Sequence, residues 1–338
     1  MGCERFQNCG NVFKNCCRGN RTFGAVLTIV ANVLTIVASL SFFKNSGKFK
    51  LIWLFAEAKN YIIFSSDCRL LRRQKMKKYQ WDADQYFQFS SAQQKWARES
   101  IKKAKIKSNE NVLDVGCGDG KVTVEIAELA TEGKVIGVDN SKSMINLAEE
   151  KFPHSKYPNL SFKVLDAKEL NFNEEFDVIL SNAALHWVDD HLKVLNGMYN
   201  SLKKDGRILL QMGAKGNVPE AFFAVDKVIR KTEWSGYFIN LKFPYYFFDI
   251  QEYHNFISQT EFRDIEIEIV EKDMQHIGKE NLKGWIRTTW LPYTQRIPEF
   301  KREEFIEEAC TEFAQNFPAD KNDVYHATAK RLIVSAKK

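Results

Sequence analysis

The chain has 338 residues, of which 44% are hydrophobic and 27% are charged. This length allows one large domain or two modest ones, and the composition excludes a wholly disordered, collagen-like or coiled-coil protein. The net charge of +6 is unevenly distributed, because residues 1–78 hold 14 of the 49 Lys/Arg and three of the 43 Asp/Glu. The remaining 35 basic and 40 acidic residues make the larger part acidic, which argues against a nucleic-acid-binding protein.

Residues 22–43 form an uncharged run of 22 residues, TFGAVLTIVANVLTIVASLSFF. As a helix this run would be about 33 Å long, enough to cross the core of a bilayer. Lys and Arg are most frequent after it, so the positive-inside rule places the following domain in the cytoplasm. We therefore predict a basic extension, 1–78, with a single-pass anchor at 22–43. The alternative is a dispensable extension, since Met76 is a second possible translation start.

Cysteines are concentrated in the extension. Beyond residue 78 the sequence contains only Cys117 and Cys310, which lie far apart along the chain. Such a domain has no disulfide framework and is typical of a reducing compartment.

From residue 79 onwards, short apolar segments alternate with stretches of helical period, which is typical of βαβ units around a parallel sheet. The predicted parallel strands are 111–115, 134–139, 161–165, 176–180 and 206–212. Segments 262–273 and 327–338 alternate apolar and polar residues and predict an antiparallel pair at the sheet edge. Insertions at about 218–260 and 280–318 interrupt the pattern, and we predict that they form a helical lid at the acceptor site.

The most informative segment follows the first predicted strand. That strand ends near Asp114, and the segment Gly116-Cys117-Gly118-Asp119-Gly120 then turns into a helix, so that backbone can approach a ligand closely. The loop lacks the GKS or GKT of a P-loop, and its GxGxG spacing differs from the GxGxxG of dinucleotide-binding folds. An acidic residue before the loop suits a cationic ligand, which points to the amino group and sulfonium of S-adenosylmethionine.

Polar residues also follow the next predicted strands. Asp139 ends the second strand, where a carboxylate accepts hydrogen bonds from both hydroxyls of a ribose. Asp166 follows the third and is suited to accept from an adenine amino group, while Met144 would lie against the adenine or pack in the core. Ligands bind beyond the carboxyl ends of parallel strands. The residues that we therefore expect at the methyl end of the cofactor are Asn182, His186 and Trp187.

These motifs, in this order, resemble those of the class I S-adenosylmethionine-dependent methyltransferases over residues 79–338. Three segments are similar to the small-molecule branch with trans-aconitate, malonyl-carrier-protein and juvenile hormone acid methyltransferases: WDADQYFQFSSAQQKWA, SNAALHWV and GWIRTTWLPYTQRIP. The resemblance implies an α/β fold with a Rossmann-like, doubly wound, mostly parallel seven-stranded sheet, an antiparallel edge hairpin and a helical lid. It also implies S-adenosylmethionine as cofactor. The implied cofactor-binding residues are Tyr86, Gln94, Asp114, Gly116, Cys117, Gly118, Asp139, Asn140, Met144, Asp166, Ala167 and Asn182, with Ser91 on the same front helix.

Aromatic and basic residues are concentrated at 284–298, late in the chain. Indoles beside a guanidinium would form an apolar pocket with one anchor for a carboxylate. The residues that we predict to bind the acceptor are Trp187, Arg287, Trp290 and Tyr293. On a helix Arg287 and Trp290 would share a face. The alternative is a packed lid with Arg287 at its outer edge.

A carboxylic acid is already ionised at pH 7, so its methylation needs no general base. We therefore expect O-methylation of a small-molecule carboxylate, with His186 as the candidate catalytic residue. If the acceptor atom is nitrogen or carbon, His186 becomes the candidate base; a structural role for this histidine also stays open. The alternative outside enzymology is a non-catalytic S-adenosylmethionine-binding scaffold. No metal ion is predicted, and SNAA stands where nucleic-acid-modifying relatives carry an NPPY-like tetrapeptide.

Overall fold

The computed structural model describes residues 79–83 and 91–338, and for residues 91–95 it describes the backbone of a helix. The predicted anchor at 22–43 and the predicted cofactor contact Tyr86 lie outside the described residues and stay predictions. Among the described residues, no helix combines the length and the apolar character that a bilayer crossing requires.

Seven strands of the described residues form one sheet, as predicted. They are β1 (Val112–Val115), β2 (Val135–Asp139), β3 (Leu160–Val164), β4 (Phe176–Asn182), β5 (Leu202–Gly213), β6 (Arg263–Ile277) and β7 (Val324–Lys337). Their order is β3-β2-β1-β4-β5-β7-β6; the first five of these are parallel, and β7 is antiparallel to both of its neighbours. The predicted antiparallel pair is confirmed, with β7 inside the sheet and β6 at its edge.

Ten helices accompany the strands in the part of the chain that the structure describes. They are α1 (Ser91–Ala104), α2 (Lys121–Leu129), α3 (Lys142–Lys151), α4 (His191–Ser201), α5 (Pro219–Ile229), α6 (Thr232–Ser235), α7 (Ile250–Ile257), α8 (Gly278–Thr289), α9 (Leu291–Thr294) and α10 (Arg302–Asn316). Polar residues mark several helix starts. Ser141 caps α3 by accepting a hydrogen bond from the Met144 N–H, as such a residue is expected to do.

The central parallel strands β1, β2 and β4 are buried on both faces. In β1, Val112 packs in a core with residues of α1 and α2, whereas Leu113 and Val115 pack in the core on the other face with residues of α4. Because side chains alternate along a strand, Asp114 shares the face of Val112 and is directed towards α2. The same alternation that fills both cores therefore places this carboxyl group inside the fold.

Most helices within the two predicted insertions form one helical layer, whereas α7 packs in the core that contains α4. Residues of α5, α8 and α10, among them Val225, Leu282 and Phe313, share a hydrophobic core with Ala327 and Ala329 of β7. This core covers the first part of β7, and its aromatic side chains supply much of the pocket described below. The limits of the insertions, and of the domain as a whole, stay a prediction.

Candidate active site

Four segments that contain predicted cofactor residues meet at the carboxyl ends of neighbouring parallel strands. The strands β1 to β4 are parallel neighbours, so their carboxyl ends lie side by side. The segments that follow these ends contain the glycine-rich loop after Val115, the pair Asp139-Asn140, the pair Asp166-Ala167, and Asn182. Residues that are distant in the sequence are therefore neighbours at the edge where ligands bind in open parallel sheets.

The glycine-rich loop has a backbone that favours glycine. Gly116, Gly118 and Gly120 have φ angles of 79°, 54° and 80°, in the left-handed region. The N–H groups of Gly116 and Cys117 both donate to the carbonyl oxygen of Val138, at 2.7 and 3.0 Å, which ties the loop to the end of β2. A Cβ atom on Gly116 would lie 2.1 Å from the Cβ of Ala184. The loop therefore depends on glycine for its own packing as well as for its approach to a ligand.

Asp139 ends β2 beside this loop. Its Oδ2 accepts the Gly118 N–H at 3.1 Å, and its Oδ1 accepts the Ser141 N–H at 2.7 Å. Two backbone groups therefore fix the direction of a half-buried carboxylate at the edge of the sheet. This is the position that the sequence assigns to recognition of a ribose.

Asp114 is only 2% exposed and lies beneath the loop. Thr123, in the first turn of α2, donates a hydrogen bond from its hydroxyl to Asp114 Oδ2 at 2.8 Å. Burial, with a smaller contribution from the charge of Asp139, raises the pKa of Asp114 to about 7. The carboxyl group is therefore held between its neutral and ionised forms near physiological pH.

We expect Asp114→Asn to stabilise the cofactor-free protein at pH 8. The pKa of about 7 in the folded protein lies above the usual 3.8. The free energy of unfolding therefore falls as the pH rises from about 4 through 7 and the buried group ionises. The difference between these two pKa values lowers the free energy of unfolding by about 4 kcal/mol at most. Asparagine keeps an oxygen that accepts from Thr123 and carries no charge.

Urea denaturation of both proteins at pH 5 and pH 8 measures this effect. The variant should be more stable at pH 8, and its advantage over the wild-type protein should shrink at pH 5. An advantage of equal size at the two pH values would show that the ionisation of Asp114 does not govern this stability.

The other predicted cofactor residues occupy different depths at the same edge. Met144 is buried on the inner side of α3, whereas Asn140 is exposed. Asp166 accepts a hydrogen bond from the Lys168 N–H at 2.9 Å and so caps a short 3-10 helix that begins at Ala167. The half-buried residues of this set are Asp166, Ala167 and Asn182. For Gln94 the structure describes only the backbone, which lies in α1.

Cys117, one of the implied cofactor-binding residues, is packed inside the glycine-rich loop. Its thiol is buried, and a Cβ atom added to Gly137 would lie 3.0 Å from its sulfur. Burial, together with the carboxylates around the loop, raises the pKa of the Cys117 thiol well above its usual range. A thiol that stays protonated is a poor nucleophile, so packing explains this cysteine.

The residues at this edge fit S-adenosylmethionine. Three positive-φ glycines provide a backbone cradle without side chains, and the carboxyl groups beside it match a ligand that carries positive charge. The residues that would hold the cofactor are Gly116, Gly118, Asp139 and Asp166.

A pocket lies between the segment after β4 and the helical layer. Most of its walls are aromatic, and they include the rings of Trp187, Phe222, Tyr245, Phe247, Trp285 and Trp290. The ring of Trp187 packs edge-to-face on Trp81 and Tyr245, with centroids 5.3 and 5.0 Å apart. Such walls suit an apolar acceptor.

Arg331 brings a charge into this aromatic pocket. Of the described residues that line it, Arg331 carries the only permanent charge, and its side chain is 4% exposed. Its guanidinium carbon lies 5.4 Å from the centroid of the Trp96 ring. Arg331 in β7 is directly opposite Gly213 in β5, so the two residues face the same side of the sheet.

Sequence reasoning missed Arg331, although a signal was present. Ala327 and Ala329 are buried in the core of the helical layer, and Arg331 continues this alternation on the same face of β7. From Leu332 onwards the buried positions belong to the core on the other face. Arg331 is therefore the last inward-facing residue before the strand leaves the pocket.

The structure does not bring Arg287 to the pocket. Its Nε and Nη2 donate to the two carboxylate oxygens of Glu303, at 2.7 and 2.5 Å, in an ion pair between α8 and α10. The predicted shared face with Trp290 is absent because α8 ends at Thr289 and Trp290 has left the helical backbone conformation. Trp285 and Thr289, four residues apart on α8, line the pocket instead.

Of the other predicted acceptor residues, two line the pocket and one does not. Trp187 and Trp290 line the pocket. Tyr293 is buried behind it, against Phe238 and Trp290, and is not one of the lining residues. Its role is therefore to support the wall formed by Trp290.

His186 lines the pocket from a short 3-10 helix, Leu185–Trp187, after β4. Its Nδ1 accepts the Gly213 N–H at 3.4 Å, so the neutral ring carries its proton on Nε2. Burial, and then the positive charge of Arg331, lower the pKa of His186 well below its usual range. The imidazole is therefore neutral at pH 7 and a weak base.

Comparisons with known proteins agree with this fold. Residues 106–259 match the family model described as "Methyltransferase domain". "Uncharacterized methyltransferase C70.08c" of Schizosaccharomyces pombe is 28% identical over 225 residues, which cover 65% of this chain and 84% of that protein. "Trans-aconitate 2-methyltransferase" of Enterobacter sp. (strain 638) is 24% identical over 261 residues, which cover 76% and 98%. The YcgJ protein of Bacillus subtilis has a similar fold, with a TM-score of 0.50, 20% identity, and coverage of 72% of this chain and 97% of that chain.

Proposed function

We propose that this chain, an S-adenosylmethionine-dependent methyltransferase, methylates a carboxylate of a small, largely apolar acid. The observation that carries the proposal is the guanidinium of Arg331 inside an aromatic pocket. A carboxylate that enters such a pocket loses its hydration and needs an opposite charge. Arginine supplies this charge together with a planar set of donors that matches a carboxylate.

The charge and the histidine of the pocket both favour a carboxylate over an amine. Arg331 would repel an ammonium group, and an amine must lose a proton before it accepts a methyl group. His186 is poorly suited to take that proton, because its pKa is lowered and its Nδ1 already accepts the Gly213 N–H. A carboxylate needs no such base.

The residues of the chain would act mainly by positioning. S-adenosylmethionine, when bound, supplies a methyl group on a sulfonium that is open to in-line attack. The glycine-rich loop and Asp139 would orient it at the carboxyl ends of the strands, and Arg331 would hold the acid beside His186. The aromatic walls would exclude water. Positioning and exclusion of water account for large rate enhancements in reactions that need no proton transfer.

The relatives support a carboxylate acceptor. The Enterobacter relative aligns over 98% of its own length and is named for trans-aconitate, a carboxylic acid. The pocket of this chain offers a single permanent charge among its described lining residues. We therefore infer an acceptor with one carboxylate and an apolar body.

The full-length protein tests the proposal with three aromatic probes and S-adenosylmethionine that carries a deuterated methyl group. The probes are 3-phenylpropanoic acid, 3-phenylpropylamine and 4-propylphenol, analysed by mass spectrometry. We expect the label in the methyl ester of the acid, from which alkali releases it. Label on the amine or the phenol and none on the acid would refute the proposal.

We expect His186→Ala to lower kcat for such an acid by less than about 10-fold. The histidine supplies a neutral donor and a packing surface, and a typical hydrogen bond of this kind contributes about 1 kcal/mol. Steady-state kinetics at saturating cofactor measure the change, with His254→Ala, an exposed residue of α7, as the matched control. A loss above about 100-fold would be that of a general base and would favour a proton-bearing acceptor.

A further inference from the structure

Asn217 is a polar residue of the pocket wall that the proposed reaction leaves unused. It lies in the short segment between β5 and α5, is 9% exposed and lines the pocket. Its N–H donates to the carbonyl oxygen of Ala214 at 3.0 Å, and the next N–H, of Val218, donates to Thr328 at 2.9 Å. A local turn and a bond to β7 therefore fix the backbone at this side chain.

The amide of Asn217 has an unmet hydrogen-bonding capacity. Its Oδ1 is buried and has no hydrogen-bond partner in the described part of the chain. Most of the neighbouring wall is aromatic, and no donor of the described lining residues reaches this atom. A buried polar atom without a partner is costly, so the atom favours a ligand that hydrogen-bonds to it.

The amide lies close to the groups that we assign to the carboxylate. A Cβ atom on Gly213 would be 3.1 Å from Asn217 Nδ2. The same Gly213 is opposite Arg331 across the strands, and its N–H donates to His186 Nδ1. Arg331, His186 and Asn217 therefore lie around one glycine, and the ring of Phe247 packs where its side chain would be, since a Cβ atom on Gly213 would lie 2.5 Å from Phe247 Cε1.

A hydroxyl group is the ligand group that fits best. The oxygen and nitrogen of an asparagine amide can exchange places by rotation of the side chain, so the buried atom can present either an acceptor or a donor. A hydroxyl both donates and accepts and satisfies either orientation. The hydrocarbon body of a plain acid satisfies neither.

We propose that Asn217 determines acceptor specificity by selecting acids that carry a hydroxyl group near the carboxylate. This inference rests on the proposed function, because it places the carboxylate at Arg331. The acceptor class is then a hydroxy acid with an apolar or aromatic body. Its carboxylate binds Arg331, its hydroxyl binds Asn217, and its body lies between the aromatic walls.

Matched acids with one carbon skeleton test the inference in the full-length protein. The probes are 3-phenylpropanoic acid, 2-hydroxy-3-phenylpropanoic acid and 3-hydroxy-3-phenylpropanoic acid. For the wild-type protein we expect kcat/KM for one hydroxylated acid to exceed that for the plain acid about 10- to 100-fold. In Asn217→Leu, which has a similar size and no polar group, the preference should vanish and the plain acid should still be methylated.

The results distinguish the role of Asn217 from the proposed methylation of a carboxylate. Equal rates with all three acids in the wild-type protein, or a preference that survives in Asn217→Leu, would overturn the role of Asn217 and leave the carboxylate proposal intact. Bound cofactor without methylation of any acid would overturn both. If Asn217→Leu does not fold, calorimetric titration of the same acids into the wild-type protein with S-adenosylhomocysteine decides the matter, because equal affinities refute the inference.

Discussion

Arg331→Met should lower kcat/KM for the acid at least about 30-fold and leave cofactor binding nearly unchanged. The substitution keeps much of the apolar stem and removes the charge that would pair with the carboxylate. Loss of one partner of a buried, hydrogen-bonded charge pair typically costs about 2–5 kcal/mol, and each 1.4 kcal/mol is a factor of about ten. Arg331→Lys should recover part of the activity, since lysine keeps the charge without the planar set of donors.

Methyl-ester formation and calorimetric titration of S-adenosylmethionine separate these effects. Arg287→Met tests the anchor predicted from the sequence, and we expect it to change kcat/KM by less than about twofold because Arg287 pairs with Glu303. Arg230→Met, which removes an exposed arginine paired with Asp226, is the matched control. If Arg287→Met abolished activity and Arg331→Met did not, the acceptor site would have been assigned to the wrong side of α8.

Asp139→Asn should weaken S-adenosylmethionine binding by about 100-fold or more. The carboxylate is held at the end of β2 by the N–H groups of Gly118 and Ser141, and we expect it to accept both ribose hydroxyls. Hydrogen bonds to a charged group contribute about 1.5–3 kcal/mol each, so two of them give the expected factor. Asparagine has a similar size but only one oxygen and no charge.

Calorimetric titration measures this affinity, and a thermal unfolding curve shows whether the variant is folded. Asp189→Asn is the matched control, because Asp189 is an exposed carboxylate that pairs with Lys168 after β4. Unchanged affinity in a folded Asp139→Asn protein would remove Asp139 from the cofactor site and place the ribose elsewhere along the edge.

The strands were predictable because each has a local signature. β1, β2 and β4 are short apolar segments buried on both faces, which gives continuous hydrophobic runs. The antiparallel pair is longer than predicted, since β6 continues to Ile277 and β7 begins at Val324. Polar residues at these ends look like loop in the sequence, but the backbone pairing of the two strands continues through them.

The position of the predicted cofactor residues could also be inferred from the sequence. Gly116, Gly118 and Asp139 lie at strand ends, and parallel strands bring their carboxyl ends to one edge whatever the details of packing. The degree to which each side chain is buried could not be inferred from the sequence. Burial of Asp114 beneath the loop, with the resulting rise of its pKa to about 7, depends on the contacts of α2 with β1.

The sequence by itself determined the α/β fold and the position of the cofactor loop, because both follow from short-range patterns of burial and from backbone conformations that favour glycine. Only the tertiary structure decided which cation enters the pocket. Arg287 has aromatic neighbours in the sequence, but α8 ends before Trp290 and the Arg287 side chain pairs with Glu303 on α10. Arg331 is brought opposite Gly213 by the register between β7 and β5, a pairing between strands more than a hundred residues apart that local periodicity does not encode.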